Sequence, residues 1–136
     1  MLIRNASAAV VLLLALSGCA ALPEASCRAG ENREADDTLY FGNATRSGDV
    51  TSEQWARFLE TTVTPRFPQG LTVMDAAGQW RGANGKVGRE ATRVLHLVHP
   101  DNAKDDALVK EIIAAYKTQY QQESVLRVRV SVCASF

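Results

Sequence analysis

The order in which the hydrophobic spacing changes along the chain constrains its fold most. From Thr38 onward the apolar residues alternate as in a strand, recur at helical spacing, return to two strand segments, and then give one more helix and one more strand. This strand–helix–strand–strand–helix–strand order predicts a ferredoxin-like α+β fold, with two helices on one face of a four-stranded antiparallel sheet. Right-handed crossovers then place the first and third strands at its centre.

Cap and turn residues delimit these segments. Thr51 and Gln54 form a capping box before the first helix, and Asn84-Gly85 is typical of a tight hairpin turn. The predicted elements are the strand 39–41, a helix carrying Trp55, Phe58, Leu59 and Val63, the hairpin strands 71–81 and 92–99, a helix carrying Leu108 to Tyr120, and the strand 125–132.

The beginning of the chain has the features of an export signal that ends in a lipidation site. Arg4 precedes the apolar run Ala8–Leu16, which is too short to span a bilayer as a finished helix. The sequence Leu16-Ser17-Gly18-Cys19 resembles the lipobox of bacterial lipoproteins, in which the cysteine is lipidated and becomes the first mature residue. Lipidation of Cys19 anchors the protein to a membrane. The alternatives are an ordinary cleaved signal and an uncleaved anchor helix.

This interpretation divides the chain into a signal peptide (1–18), a lipidated N-terminus with a flexible tether (19–37) and a single α+β domain (38–136). The tether is assigned because its residues are short of large apolar side chains. The expected location is the bacterial cell envelope. Ala20 stands where an aspartate would favour inner-membrane retention under the sorting rule of enteric bacteria, so the outer membrane facing the periplasm is favoured.

Charge and cysteine content narrow the partners and the redox context. Lys plus Arg and Asp plus Glu each total 15, so no polybasic surface for nucleic acid is expected. Lipidation of Cys19 leaves Cys27 and Cys133, which the oxidising envelope favours as a disulfide. The predicted sheet supports this pairing, because its last strand ends near the start of its first strand. Two unpaired thiols and an intermolecular bond are the alternatives.

A resemblance rests on LYFG, TVTPRFPQGLTVMDAAGQWRG, the Arg89-Glu90 pair and the tail QESVLRVRVSVCASF. Through these motifs the stretch from Thr38 to Phe136 resembles the bacterial family called domain of unknown function 3574, small secreted proteins and lipoproteins. The resemblance supports the domain boundaries and the export, and it brings no established activity with it.

One candidate site is the sheet face that points away from the helices. If the even-numbered residues of the last strand face the helices, Arg127 and Arg129 project from this open face, beside Tyr40 and His96. Two guanidinium groups with a phenol and an imidazole suit a small anion such as a carboxylate or phosphate. The same face can instead serve as a homodimer contact, as a site for an envelope protein partner, or as plain soluble surface.

The end of the hairpin is a second candidate. Trp80 and Arg81 precede its turn, and Arg89 and Glu90 follow it. Cross-strand pairing predicts a surface ion pair between Arg81 and Glu90, with Trp80 covering the sheet edge. In the alternative, Trp80 and the arginines form the rim of a ligand pocket. Gln79 belongs, with these residues, to the recognisable core of the family.

Catalytic signatures are sparse in this sequence. His96 and His99 are three residues apart on a strand and face opposite sides, so they are not expected to share a metal ion. No Gly-rich phosphate loop, nucleophile elbow or C-x-x-C motif occurs. The first hypothesis is therefore a membrane-anchored, non-enzymatic binding or interaction module without a cofactor. The alternative is a small cofactor-independent enzyme, isomerase- or monooxygenase-like, that uses His96 as general base with Tyr40.

Overall fold

The computed structural model describes residues 26–136, so the predicted signal peptide, Cys19 and most of the predicted tether lie outside the described residues. The described elements are β1 (Asn32–Gly42), β2 (Ala44–Thr45), β3 (Gly48–Asp49), α1 (Ser52–Phe58) with a π-helical continuation (Leu59–Val63), β4 (Thr72–Arg81), β5 (Val87–Pro100), α2 (Ala103–Tyr120) and β6 (Leu126–Ala134). None of these helices is long and apolar enough to cross a membrane.

The main sheet has the predicted ferredoxin-like topology. Its strand order is β4-β5-β1-β6, and every neighbouring pair is antiparallel. The first and third long strands, β1 and β5, are therefore central, and β4 and β6 form the edges. The predicted α+β fold class is confirmed. β2 and β3 form a separate two-stranded ribbon between β1 and α1.

The first strand is longer than the sequence predicted. β1 begins at Asn32, so the last residues of the predicted tether are part of the sheet. They are held on both sides, by β5 through pairs such as Asp37 with Leu97, and by β6 through pairs such as Asp37 with Arg129. The prediction failed because this segment contains few large apolar residues. Ala35 and Asp37 are nevertheless fully buried.

The hydrophobic core lies between one sheet face and the two helices. An aromatic cluster dominates it, with the rings of Phe41 and Tyr116 4.6 Å apart and those of Phe58 and Tyr116 5.2 Å apart. The Tyr116 hydroxyl donates a hydrogen bond to the carbonyl of Gly42, at 2.9 Å. The remaining buried core side chains are Leu39, Val50, Trp55, Val63, Phe67, Leu95, Leu97, Val109, Ile112 and Tyr120.

Two local predictions are confirmed. At the start of α1, the Thr51 side chain accepts from the Gln54 amide, and the Gln54 side chain accepts from the Thr51 amide at 2.8 Å, which completes the capping box. Cys27 and Cys133 form a disulfide with a Cα–Cα distance of 5.4 Å. This bond ties the segment before β1 to the end of β6, as the antiparallel arrangement of the two strands requires.

Candidate functional site

The strand register shows which side chains share the sheet face that the helices leave uncovered, called the uncovered face below. Tyr40 is opposite Val94 and Leu126, and Thr38 is opposite His96 and Val128. Because the neighbours of Tyr40 in β1, Leu39 and Phe41, are in the core, these alternating residues point the other way. Tyr40 and His96 therefore lie on the uncovered face, as expected.

The predicted orientation of β6 is wrong. Arg127 and Arg129 face the helices, and the apolar residues Leu126, Val128 and Val130 lie on the uncovered face, each about half exposed. The alternation was read correctly, but its apolar side was assigned to the core. The helix-facing side of β6 instead supplies cations to a buried carboxylate, so neither arginine belongs to a ligand site on the uncovered face.

Asp37 is the centre of the resulting buried ion network. Its side chain is fully buried and accepts hydrogen bonds from Arg127 Nε at 2.6 Å and Arg127 Nη2 at 2.7 Å. His99 Nε2 lies 2.9 Å from the second carboxylate oxygen, while His99 Nδ1 lies 3.0 Å from the Pro100 carbonyl. Both ring nitrogens of His99 therefore face oxygen atoms.

The network continues to the start of α2. Arg127 Nη2 is 2.8 Å from Asp106 Oδ1, and Arg129 Nη1 is 2.5 Å from the same oxygen. Arg129 also binds Asp101, whose other oxygen accepts from the Ser131 hydroxyl at 3.0 Å. Asp101, just before α2, and Asp106, in its first turn, therefore join α2 to β6. The charged groups of this buried ion network pair with one another, so we interpret the network as structural.

Acid is expected to weaken the fold through these carboxylates. Hydrogen bonds from Lys110 and Arg127 lower the pKa of Asp106 from 3.8 to about 2. Burial acts to raise the pKa of Asp37, but the bonds from Arg127 and His99 outweigh it, so this pKa also lies below 3.8. Because protons bind these two carboxylates more readily in the unfolded chain, the carboxylates contribute fully to the free energy of unfolding above about pH 5. Their contribution falls as the pH drops from about 4 to 2. Urea midpoints measured across this range test the prediction, which an unchanged midpoint would contradict.

His96 makes a different contact. Its Nε2 lies 2.6 Å from Asp36 Oδ1, on the uncovered face, and His96 pairs with Thr72 at the end of β4 opposite the hairpin turn. Tyr40 lies one row closer to the hairpin, beside Val94 and Leu126. The arginines expected next to these two residues are on the opposite face. The anion site expected from these two residues together with Arg127 and Arg129 is therefore not assembled on the uncovered face.

A cleft of about 580 Å³ lies at the hairpin end of the sheet. Its walls come from the end of β1 and the loop after it, the β4–β5 hairpin and the loop between α2 and β6. The side chains that matter for its chemistry are Tyr40, Arg46, Trp80, Lys86, Arg89 and Glu90. Of the residues singled out in the sequence, Gln79 also lines the cleft, whereas Arg81, His96, Arg127 and Arg129 do not.

Long-range hydrogen bonds hold the walls together. Glu90 accepts from the Ala44 amide at 3.0 Å, and Gln122 donates to the Ala44 carbonyl at 2.7 Å. Across the mouth of the cleft, the Ala83 amide donates to Glu123 at 3.3 Å. The hairpin and two loops that are distant in the sequence are therefore joined into one frame. The cleft is formed by the fold itself and needs no rearrangement to exist.

Glu90 has the most defined position in this frame. Its carboxylate lies against Gly42, where a Cβ atom would come within 2.7 Å of Oε1, so only glycine fits there without displacing Glu90. The predicted ion pair between Arg81 and Glu90 is wrong, because Arg81 is opposite Val87 and Glu90 is opposite Gly78. The observed register therefore separates the two residues along the hairpin. Glu90 consequently reaches across to β1 and its loop.

The lining of the cleft also contains cationic and aromatic groups, beside uncharged residues such as Gln79 and Leu126. Arg46, Lys86 and Arg89 are all exposed, so their charged ends are available to a ligand. The Trp80 ring is 47% exposed, and the Tyr40 ring is 38% exposed. Glu90 and Glu123 are already engaged by backbone amides. Such a site combines flat apolar surfaces with guanidinium and ammonium donors, which suits an anion that carries a planar ring.

Comparison with known proteins gives fold relatives at low identity. A phage SAM lyase solved in complex with S-methyl-5'-thioadenosine is 10% identical, with a TM-score of 0.60, over 83% of this chain and 95% of that one. CutA from Synechococcus elongatus, solved with a Bis-Tris molecule, is 12% identical, with a TM-score of 0.52, over 77% of this chain and 87% of that one. These similarities support the ferredoxin-like fold alone. No curated protein matches the chain.

Membership of a family is a separate finding. The family model described as "Protein of unknown function (DUF3574)" matches residues 36–136. This match contains the whole predicted α+β domain, including the hairpin, the cleft residues and Cys133. It begins inside β1, which agrees with a sheet that starts before Thr38. The chain therefore belongs to the DUF3574 family.

Proposed function

We propose that this chain is a non-enzymatic binding module, anchored in the bacterial cell envelope, that holds a small anionic ligand with a planar ring in the cleft at the hairpin end. The observation that carries the proposal is the composition of the cleft. Three exposed cations, Arg46, Lys86 and Arg89, and the exposed rings of Trp80 and Tyr40 all line one preformed concavity. Its volume of about 580 Å³ is in the range of small-molecule sites.

The anchoring part of the proposal rests on the sequence. The apolar run that ends in Leu16-Ser17-Gly18-Cys19 supports lipidation of Cys19 and a position at the outer membrane facing the periplasm. The disulfide between Cys27 and Cys133 is consistent with an oxidising compartment. A tethered domain of this kind holds its cleft free in the periplasm.

The enzymatic alternative has weaker support. His96 does not line the cleft, and its Nε2 is engaged with Asp36 at 2.6 Å. Tyr40 does line the cleft, but the only general base that the alternative names is directed elsewhere. The groups that line the cleft are sufficient for a binding function. Catalysis by His96 and Tyr40 requires a substrate position that is in reach of both residues.

Adenosine 5'-monophosphate is a suitable probe, because it joins a planar ring to a phosphate. We expect it to bind the purified full chain more tightly than either adenosine or inorganic phosphate in isothermal titration calorimetry. Arg89→Gln removes a charge-assisted contact and is expected to weaken binding by about 10-fold or more. Trp80→Ala removes a stacking surface worth about 1–3 kcal/mol, which is about 5- to 150-fold in affinity.

The matched control is Arg57→Gln, which removes another exposed arginine, in α1 and outside the cleft. Its affinity for the probe should equal that of the unmodified chain. Binding of the probe that is no tighter than binding of inorganic phosphate would contradict the ring component of the proposal. An effect of Arg57→Gln as large as that of Arg89→Gln would show that the attraction is only general charge.

A further inference from the structure

We propose that the uncovered sheet face binds a second copy of this chain. This face carries an apolar patch, defined as Tyr40, Met74, Leu126, Val128 and Val130, whose members are between 38% and 51% exposed. Large apolar side chains that are half exposed on neighbouring strands are unusual on an isolated domain. Both helices pack on the opposite face, so within the described residues nothing else in the fold covers the patch.

The patch is continuous across the sheet. One row joins Met74, Val94, Tyr40 and Leu126, the next contains Val128 beside Thr38, and the third contains Val130 beside Asp36. Four strands about 4.8 Å apart, each followed for six residues at about 3.3 Å, give a flat area of roughly 400 Å² before the relief of the side chains is counted. The patch therefore supplies about half of the roughly 800 Å² per partner of a specific interface, and the adjoining ends of the face must supply the rest.

The charges at the two ends of the uncovered face favour a second copy of this chain as the binding partner. Glu34 and Asp36 lie at the end of the face where β1 begins, whereas the cations Arg46 and Lys86 lie beyond Tyr40, where β1 ends. When two copies meet face to face with their β1 strands antiparallel, the acidic end of each meets the basic end of the other. An unrelated apolar partner would gain nothing from this polarity.

The side chain of Glu34 gives a further reason to expect a partner on the uncovered face. Its side chain is buried, and its Oε2 atom has no hydrogen-bond partner among residues 26–136. A buried carboxylate oxygen without a donor is costly, and the second copy brings cations to this end of the patch. The patch overlaps the cleft at Tyr40 and Leu126, but Val128 and Val130 are not among the cleft residues, so a change at position 128 tests the second copy separately from the ligand.

Site-specific photo-crosslinking in the full, membrane-anchored chain tests the inference. A photoreactive amino acid at position 128 is expected to give a covalent product with twice the mass of the chain. The matched control is position 73, because Val73 is 41% exposed and pairs with the core residue Leu95, which places it on the other face of the sheet. Equal yields at both positions, no product at position 128, or a product at position 128 that contains only a different envelope protein would each overturn the proposal.

A substitution gives a second, independent readout. Val128→Asp places a charge in the centre of the patch and is expected to shift the detergent-solubilised chain from the mass of an oligomer to that of a monomer in native mass spectrometry. Val73→Asp, at a similarly exposed site, should leave the oligomer intact. A circular dichroism spectrum like that of the unmodified chain shows that Val128→Asp is folded. If the unmodified chain is itself a monomer, the inference is wrong, whatever the outcome for adenosine monophosphate.

Discussion

Arg127→Met is expected to lower the free energy of unfolding by about 3–5 kcal/mol, because it leaves a buried carboxylate without its main partner. Asp37 is fully buried and takes two of its hydrogen bonds from the Arg127 guanidinium, at 2.6 and 2.7 Å. Methionine retains much of the apolar length of the side chain, so the loss reflects the missing charge and donors more than a cavity. Urea-induced unfolding, followed through the fluorescence of the buried Trp55, measures the effect.

The matched control is Arg81→Met, at an exposed arginine of the edge strand β4. Its effect is expected to stay within about 0.5 kcal/mol. The double variant Asp37→Leu/Arg127→Met removes both members of the pair and should recover a large part of the lost stability, since replacement of a whole buried pair by apolar residues is often close to neutral. A loss in Arg127→Met no larger than that in Arg81→Met would show that the buried ion network contributes little to stability.

The buried ion network around Asp37 also explains why the orientation of β6 was not predicted correctly from the sequence. The strict alternation of β6 was visible, and it identifies two faces without saying which is buried. That choice depends on register, because Leu126 is opposite Tyr40 and therefore shares its face. The aspartate that makes a cationic inner face favourable, Asp37, lies in a stretch whose acidic composition suggested a tether. A buried acid in a short, weakly apolar strand segment has no clear signature in a single sequence.

The cleft shows a related limit. Trp80, Arg89 and Glu90 were singled out because the hairpin was recognisable, and the structure brings all three to one concavity with Tyr40. Arg46 and Lys86 were missed, because their role follows from contacts between distant segments, such as Glu90 with Ala44. The fold order was accessible because hydrophobic periodicity determines it, and the disulfide was accessible because it follows from the resulting strand arrangement and from the predicted oxidising envelope. The walls of the cleft depend on which loops meet above the sheet.

Replacement of both bonded cysteines, Cys27→Ser with Cys133→Ser, is expected to lower the free energy of unfolding by about 2–4 kcal/mol. The bond joins residues 106 positions apart, so it restricts nearly the whole described chain in the unfolded state. Chain entropy alone gives about 4.7 kcal/mol for a loop of about 100 residues, and measured values are commonly smaller. The same urea experiment tests this, with the double variant chosen because a single substitution leaves a reactive thiol.

The effect should be largely one of the unfolded state, because the contacts around Cys133 do not depend on the bond. Cys133 is opposite Arg33 in the β1–β6 ladder, and nine residue pairs hold these two strands in register. The double variant should therefore keep the cleft and its affinity for the probe while it loses stability. Arg127→Met acts on the same edge of the sheet, but through the folded state. The two losses of stability should therefore add if the buried ion network and the disulfide are independent. A loss below about 1 kcal/mol in the double serine variant would mean that the unfolded chain is already compact enough to hold its ends together.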